Sequence, residues 1–186
     1  MQCLLKPGDA IAIEDPSYHY NLQLFKSAGI QIYPLPVAQD PEALQSLYKK
    51  HRIKMILLNP DFQNPTGSLM SVKKREAILE ISSTLGIPVV EDDPAFTEEI
   101  LLPLKFLDKN GNVLYISSLS KMVASGLRIG WIIGPTSVIE RLSDAKQQID
   151  FGHASFIQWI ANDFLESENL DFHINHLIKE LEKYHL

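Results

Sequence analysis

A single cysteine, Cys3, stands in 186 residues, so no intrachain disulfide can form and a reducing compartment suits the chain. Positive charge is also scarce. Seventeen Lys and Arg against 23 Asp and Glu leave a formal net charge of −6, which argues against this chain gripping a nucleic-acid backbone, where basic patches are needed. No apolar run approaches membrane-spanning length, and the amino terminus carries no signal-peptide pattern. Internal repeats, low-complexity linkers, a Walker loop, a Ser-His-Asp order and a zinc-ligand spacing are all missing. These absences leave the expectation of a soluble, cytosolic chain with no membrane partner. What is present is apolar substance: 45% hydrophobic residues, too many for disorder, over a length that supports one domain with a sizeable core.

Short apolar runs alternate with helix-like segments. The runs are Ala10 to Ile13, Ile30 to Tyr33, Met55 to Leu58, Ile87 to Val90, Val113 to Ile116 and Ile129 to Ile133. Several are continuously apolar, which suits strands covered on both faces. Between them lie Tyr20 to Ala28, Pro41 to Lys50 and Ser71 to Leu85, the last with Ser71 as N-cap and Gly86 as its terminating glycine. This alternation predicts an α/β fold of three layers, α/β/α, with a mostly parallel mixed sheet. The link from Ser118 to Ile129 is too short for a crossover helix, so the last strand is expected to run antiparallel. From Thr136 onward the pattern is helical, through Val138 to Gln147, Ser155 to Glu166 and Leu170 to Tyr184.

In open α/β sheets, ligands bind beyond the carboxyl ends of the strands. Four polar segments fall there: Asp15-Pro16-Ser17-Tyr18, Asn59 to Gly67, Glu91-Asp92-Asp93-Pro94, and Ser118-Leu119-Ser120-Lys121. Four such segments on one edge suggest a single site. The last, followed by Gly126-Leu127-Arg128-Ile129-Gly130, offers hydroxyls and a guanidinium suited to a phosphate dianion. It also offers one amine, and a lysine desolvated beside another cation can form a Schiff base with a carbonyl.

Taken in order, Asp15-Pro16-Ser17-Tyr18, Asn64-Pro65-Thr66-Gly67, the acidic strand end at Asp92, and Ser118-Leu119-Ser120-Lys121 with its downstream Gly-Leu-Arg-Ile-Gly resemble the fold-type-I aminotransferases that use pyridoxal 5'-phosphate. The resemblance implies a role for each residue. Lys121 would carry the cofactor and shuttle a proton, and Asp92 would pair with the pyridine nitrogen. Asn64 would donate to the ring hydroxyl oxygen, Tyr18 would stack on the ring, and Ser118, Ser120 and Arg128 would bind the phosphate. It implies that residues 1–150 form the cofactor-binding large domain, incomplete at its amino-terminal side, and that 151–186 lead toward a small domain. A homodimer and a small amino compound or 2-oxo acid as partner are implied with it.

Two departures from the family pattern stand out. No tyrosine follows Asp92 in Asp92-Asp93-Pro94-Ala95-Phe96, and none of Arg52, Arg75, Arg128 and Arg141 falls where the family keeps its arginine for the substrate carboxylate. Other features are expected to be bland: His173 and His176 as a solvated pair, Lys73-Lys74-Arg75 as an exposed helix face, and Glu98-Glu99 as solvated charges.

Two kinds of protein carry such a domain. One resembles the catalytic 2-aminoadipate and kynurenine aminotransferases, for which Phe62 to Gly67 is a good match. The other is the MocR-type subgroup of GntR-family transcriptional regulators, in which DNA would be bound only through an upstream winged-helix domain. Val138-Ile139-Glu140-Arg141-Leu142, Lys146 to Asp150, Gln158 and the missing tyrosine favour the regulator.

Overall fold

The computed structural model describes residues 3–36, 41–93, 101–152 and 154–183. Six strands form one sheet in the order β2-β1-β3-β4-β5-β6. They are β1 (Ala10–Asp15), β2 (Gln31–Pro36), β3 (Met55–Leu58), β4 (Val89–Asp92), β5 (Val113–Ser118) and β6 (Gly130–Ile133). The first five are parallel, and β6 pairs antiparallel with β5 from Tyr115↔Ile133 to Ser118↔Gly130. The connection expected to be too short for a helix contains only a 3-10 turn, Ser125–Leu127.

Both faces of the sheet are covered, which is why the strands read as unbroken apolar runs. Ala10 and Ala12 of β1 face one core cluster and Ile11 and Ile13 the other, as strand alternation requires. The first cluster packs Leu44 of α2 (Glu42–His51), Ile78 and Ile81 of α3 (Val72–Leu85) and Leu104 of α4 (Leu104–Leu107). The second packs Phe25 of α1 (His19–Ser27) and Val138 of α5 (Thr136–Asp150). The three-layer α/β/α expectation holds. Helices α6 (Ser155–Glu166) and α7 (Asn169–Glu182) complete the described chain. Among the described residues no helix is long and apolar enough to cross a membrane.

Three local outcomes differ from the sequence expectation. Strand β2 continues through Pro34 and Pro36, because it lies at the sheet edge, where a missing N–H costs no ladder bond. Helix α4 was not expected. It forms because the buried Glu91 carboxylate at the end of β4 accepts from the Leu104 and Lys105 amides, at 2.7 and 2.8 Å, and satisfies its free amino-terminal donors. Arg75 is the clearest correction. Instead of sitting on an exposed face it is 0% exposed, while Lys73 is exposed as expected. Its guanidinium donates twice to Asp61, at 2.6 and 3.1 Å, and to the carbonyls of Met70, Pro60 and Leu102. A cation buried this way is stable only because every donor has a partner. Pro94 to Ile100, which include Ala95, Phe96, Glu98 and Glu99, lie outside the described residues.

Candidate active site

At the carboxyl edge of the sheet a cavity of about 230 Å³ is lined by Glu14, Ser17, Tyr18, Asn21, Leu57, Leu58, Asn59, Asn64, Asp92 and Lys121. Four of the seven site residues expected from sequence meet here: Tyr18, Asn64, Asp92 and Lys121. They come from four separate segments, brought together because β1, β3, β4 and β5 are adjacent and parallel.

Glu91 and Asp92, which end β4, and Asp93, which follows it, are turned to different partners. Glu91 points away to cap α4, Asp92 lines the cavity, and Asp93 accepts a hydrogen bond from the Tyr115 hydroxyl at 2.8 Å. Burial first, and then the charge of Asp93, raise Asp92 above the usual carboxylate range. Burial likewise pushes Glu91 up to about 7, against the pull of the two amides it accepts. Tyr115 is pushed up to about 12 by burial and by its bond to Asp93.

Ser118, Ser120 and Arg128 flank Lys121 along the chain but are not among the residues lining the cavity. Ser120 N–H donates to the Ser118 hydroxyl at 3.4 Å. Arg128, with φ of +53° just past the 3-10 turn, turns its guanidinium onto the Ser125 carbonyl at 3.5 Å. Gly130 starts β6 hard against β5: a Cβ there would meet the Ser117 carbonyl oxygen at 2.9 Å. That contact keeps the segment between Ser118 and Gly130 a tight return. From the far end of the chain, the His173 ring of α7 bonds the Met122 carbonyl at 2.8 Å, next to Lys121. His173, expected to be solvated with His176, is instead half-buried and ties α7 to the lysine turn, while His176 is exposed; no cluster of potential metal ligands occurs among the described residues.

Sequence reasoning did not single out Glu14 or Asn59. Glu14 closes the apolar run of β1 and is buried. Its carboxylate accepts from the Asn59 backbone N–H at 2.7 Å. The Asn59 side chain donates to the Asp92 carbonyl at 2.6 Å and accepts from the Asn64 N–H at 2.8 Å. Gln63 adds a bond from its amide to the Pro16 carbonyl at 2.7 Å, joining the loop that carries Asn64 to the segment that carries Tyr18. A larger cavity of about 570 Å³ also has Glu14 and Asn59 in its wall. Sequence carried only the hint that an acid ends an otherwise apolar strand.

A six-stranded mixed sheet with an amine, a carboxylate and an amide converging at its carboxyl edge defines an aminotransferase large-domain fold. The chain belongs to the aminotransferase class I and II family, whose profile matches residues 1–185. It is 42% identical over 185 residues to an uncharacterized HTH-type transcriptional regulator of Bacillus subtilis, YdfD, covering 96% of this chain and 38% of that protein. It is 35% identical over 187 residues to aromatic-amino-acid aminotransferase 1 of Thermococcus litoralis, covering 94% of this chain and 45% of that one. Among solved structures it superposes on the kynurenine aminotransferase of Pyrococcus horikoshii, crystallised with PMP, with a TM-score of 0.87 at 32% identity, covering 96% of this chain and 47% of that one. The chain therefore spans less than half the length of these relatives.

Proposed function

We propose that this chain is the pyridoxal-phosphate-binding, effector-sensing region of a MocR-type regulator of the GntR family. The observation that carries the cofactor part is the cavity joining Lys121, Asp92, Asn64 and Tyr18. The donor set fits the group. Lys121 supplies a primary amine for an aldehyde, Tyr18 a flat apolar face for a ring, and Asn64 an amide donor for a ring oxygen. Asp92 is the most telling member. A carboxylate raised by burial gains from a cationic N–H brought against it, and a protonated pyridine nitrogen supplies one. Ser118, Ser120 and Arg128 are the donors proposed for the phosphate, from the segment next to Lys121.

When bound, the cofactor supplies an electron sink for the carbon carrying the substrate's amino group. The chain's own residues do the rest. Lys121 would hold the group and hold or move a proton at Nζ, Asp92 would accept from a protonated ring nitrogen, and Tyr18 would offer its face to the ring. The small partner is an amino compound or the matching 2-oxo acid. The cofactor carried by the Pyrococcus relative supports the reading, since PMP is the amine form of pyridoxal phosphate.

The regulator reading rests on identity: 42% to the Bacillus regulator against 35% to the Thermococcus enzyme. A DNA-binding role would belong to a segment preceding this one, since the net charge of −6 argues against this chain gripping a nucleic-acid backbone. The second reading, the large domain of a catalytic amino-acid aminotransferase of the 2-aminoadipate or kynurenine type, is favoured by Asn64 standing in the cavity with Lys121. Reading the parent gene upstream separates the two. A winged helix rich in Lys and Arg, with DNA binding that shifts on addition of pyridoxal phosphate or an amino compound, supports the regulator. A parent protein without that segment, turning over an amino donor, overturns it.

A further inference from the structure

Asn59 touches both neighbouring strands and the Asn64 loop together. It follows the last residue of β3, and the register Ile13↔Leu57 and Leu58↔Glu91, continued, carries it level with Asp15 on one flank, one residue past Glu14, and with Asp92 on the other. Its backbone N–H is held by the buried Glu14 carboxylate. Its side-chain amide then spends its capacity on two segments: Nδ2 donates to the Asp92 carbonyl, with a longer contact to the Asp61 carbonyl at 3.3 Å, and Oδ1 accepts from the Asn64 N–H. We infer that Asn59 is a positioning residue, anchored by Glu14, that fixes the backbone launch points of Asp92 and Asn64 so that both side chains meet a ring held at Lys121.

The inference rests on the cofactor reading above for its ligand, but not for its geometry. A side chain that misplaces a contact by even a fraction of a hydrogen-bond length loses most of its value, because such bonds weaken steeply with angle and distance. Asp92 is the last residue of β4; the Asp93 N–H beyond it donates to the Ile116 carbonyl at 2.9 Å on the β5 side, and the Asn59 amide takes the Asp92 carbonyl on the β3 side. Asn64 sits in an irregular loop. Each segment has its own anchors, the Ile116 carbonyl for the peptide after Asp92 and the Gln63 amide for the Asn64 carbonyl, and the Asn59 side chain ties the two segments to each other. Glu14 and Asn59 stand in the wall of both cavities, and Glu14 holds the Asn59 backbone from the β1 side.

The test uses the full-length protein with Asn59→Ala, Glu14→Ala and Glu14→Gln. Hydrogen–deuterium exchange is read without cofactor, and pyridoxal phosphate is titrated by absorbance. The expected result for Asn59→Ala is faster exchange confined to the peptide containing Asn64, affinity for pyridoxal phosphate about tenfold weaker, and a shifted absorption maximum of the bound cofactor. Glu14→Ala should reproduce this, whereas Glu14→Gln, which keeps the acceptor, should stay within about twofold of the wild type. A merely structural role would speed exchange everywhere and leave affinity and spectrum of the folded fraction unchanged, which overturns the inference. Unaltered exchange around Asn64 overturns it equally. A wild-type protein that takes up no pyridoxal phosphate would strike the cofactor reading instead, and the exchange data would still decide whether Asn59 holds the loop.

Discussion

Glu14 shows what one buried carboxyl does to the molecule's pH response. Burial pushes it from 4.5 up to about 7, outweighing the Asn59 amide and the charge of Lys74. The folded protein keeps this proton up to about pH 7, whereas the unfolded chain releases it near its ordinary value. Between those limits the folded state binds more protons, so Glu14 lowers stability progressively as pH rises. Glu14→Gln keeps the acceptor and removes the titration. Thermal melts should show the variant gaining on the wild type from about pH 5 to about pH 8, and a gap that is flat or widens toward acid would contradict this. Arg75 makes the opposite kind of statement: its guanidinium, 0% exposed, is matched by Asp61 and three carbonyls. Arg75→Ala strands Asp61 and should cost about 3–5 kcal/mol in urea unfolding, and Arg75→Lys should recover little, lacking the planar fork. Neither residue's role was legible in sequence. The Lys73-Lys74-Arg75 run reads as surface because its decisive partner lies 14 residues earlier, and Glu14 meets Asn59 across 45 residues.

Elements were far more legible, because local chemistry sets most of them. The unbroken apolar runs of β1, β3 and β5 announced a sheet covered twice, and Ser71 and Gly86 marked the ends of α3. Ser71 Oγ accepts from the Lys74 amide at 3.4 Å, and Gly86 takes φ of +64°. That φ is left-handed with open space around it, so Gly86→Ala should cost about 1 kcal/mol from backbone conformation alone, measurable by urea unfolding. A cost near zero would show that α3 ends some other way. What sequence missed were elements governed from a distance. Helix α4 depends on the carboxylate of Glu91 from another strand, and β2 outruns its prolines because the sheet has an edge there. At the site the same division holds. Tyr18, Asn64, Asp92 and Lys121 converge because strand ends in a parallel sheet converge, while the placement of Ser118, Ser120 and Arg128 hangs on a tight return whose geometry no local pattern specifies.

At the scale of the whole molecule, the apolar surface is uneven. Strand β6 pairs only with β5 among the described residues, and Trp131, Ile132 and Ile133 are exposed along it. Phe156, Trp159 and Phe172 are exposed on the carboxyl-terminal helices, and Phe151, just past the end of α5, is 92% exposed. An exposed strand edge and clustered aromatic side chains both favour association. In light scattering, the 21.0 kDa chain should therefore weigh more than a monomer, and a monomer mass across a wide concentration range would contradict this. The central claim, that the cavity at the sheet's carboxyl edge is a pyridoxal-phosphate site built on one lysine, has a more direct test. The full-length protein is loaded with pyridoxal phosphate, reduced with borohydride, digested and mapped by mass spectrometry. The phosphopyridoxyl label is expected on Lys121 and is lost in Lys121→Ala. A label on Lys54 or Lys105, or no stable label at all, would contradict it.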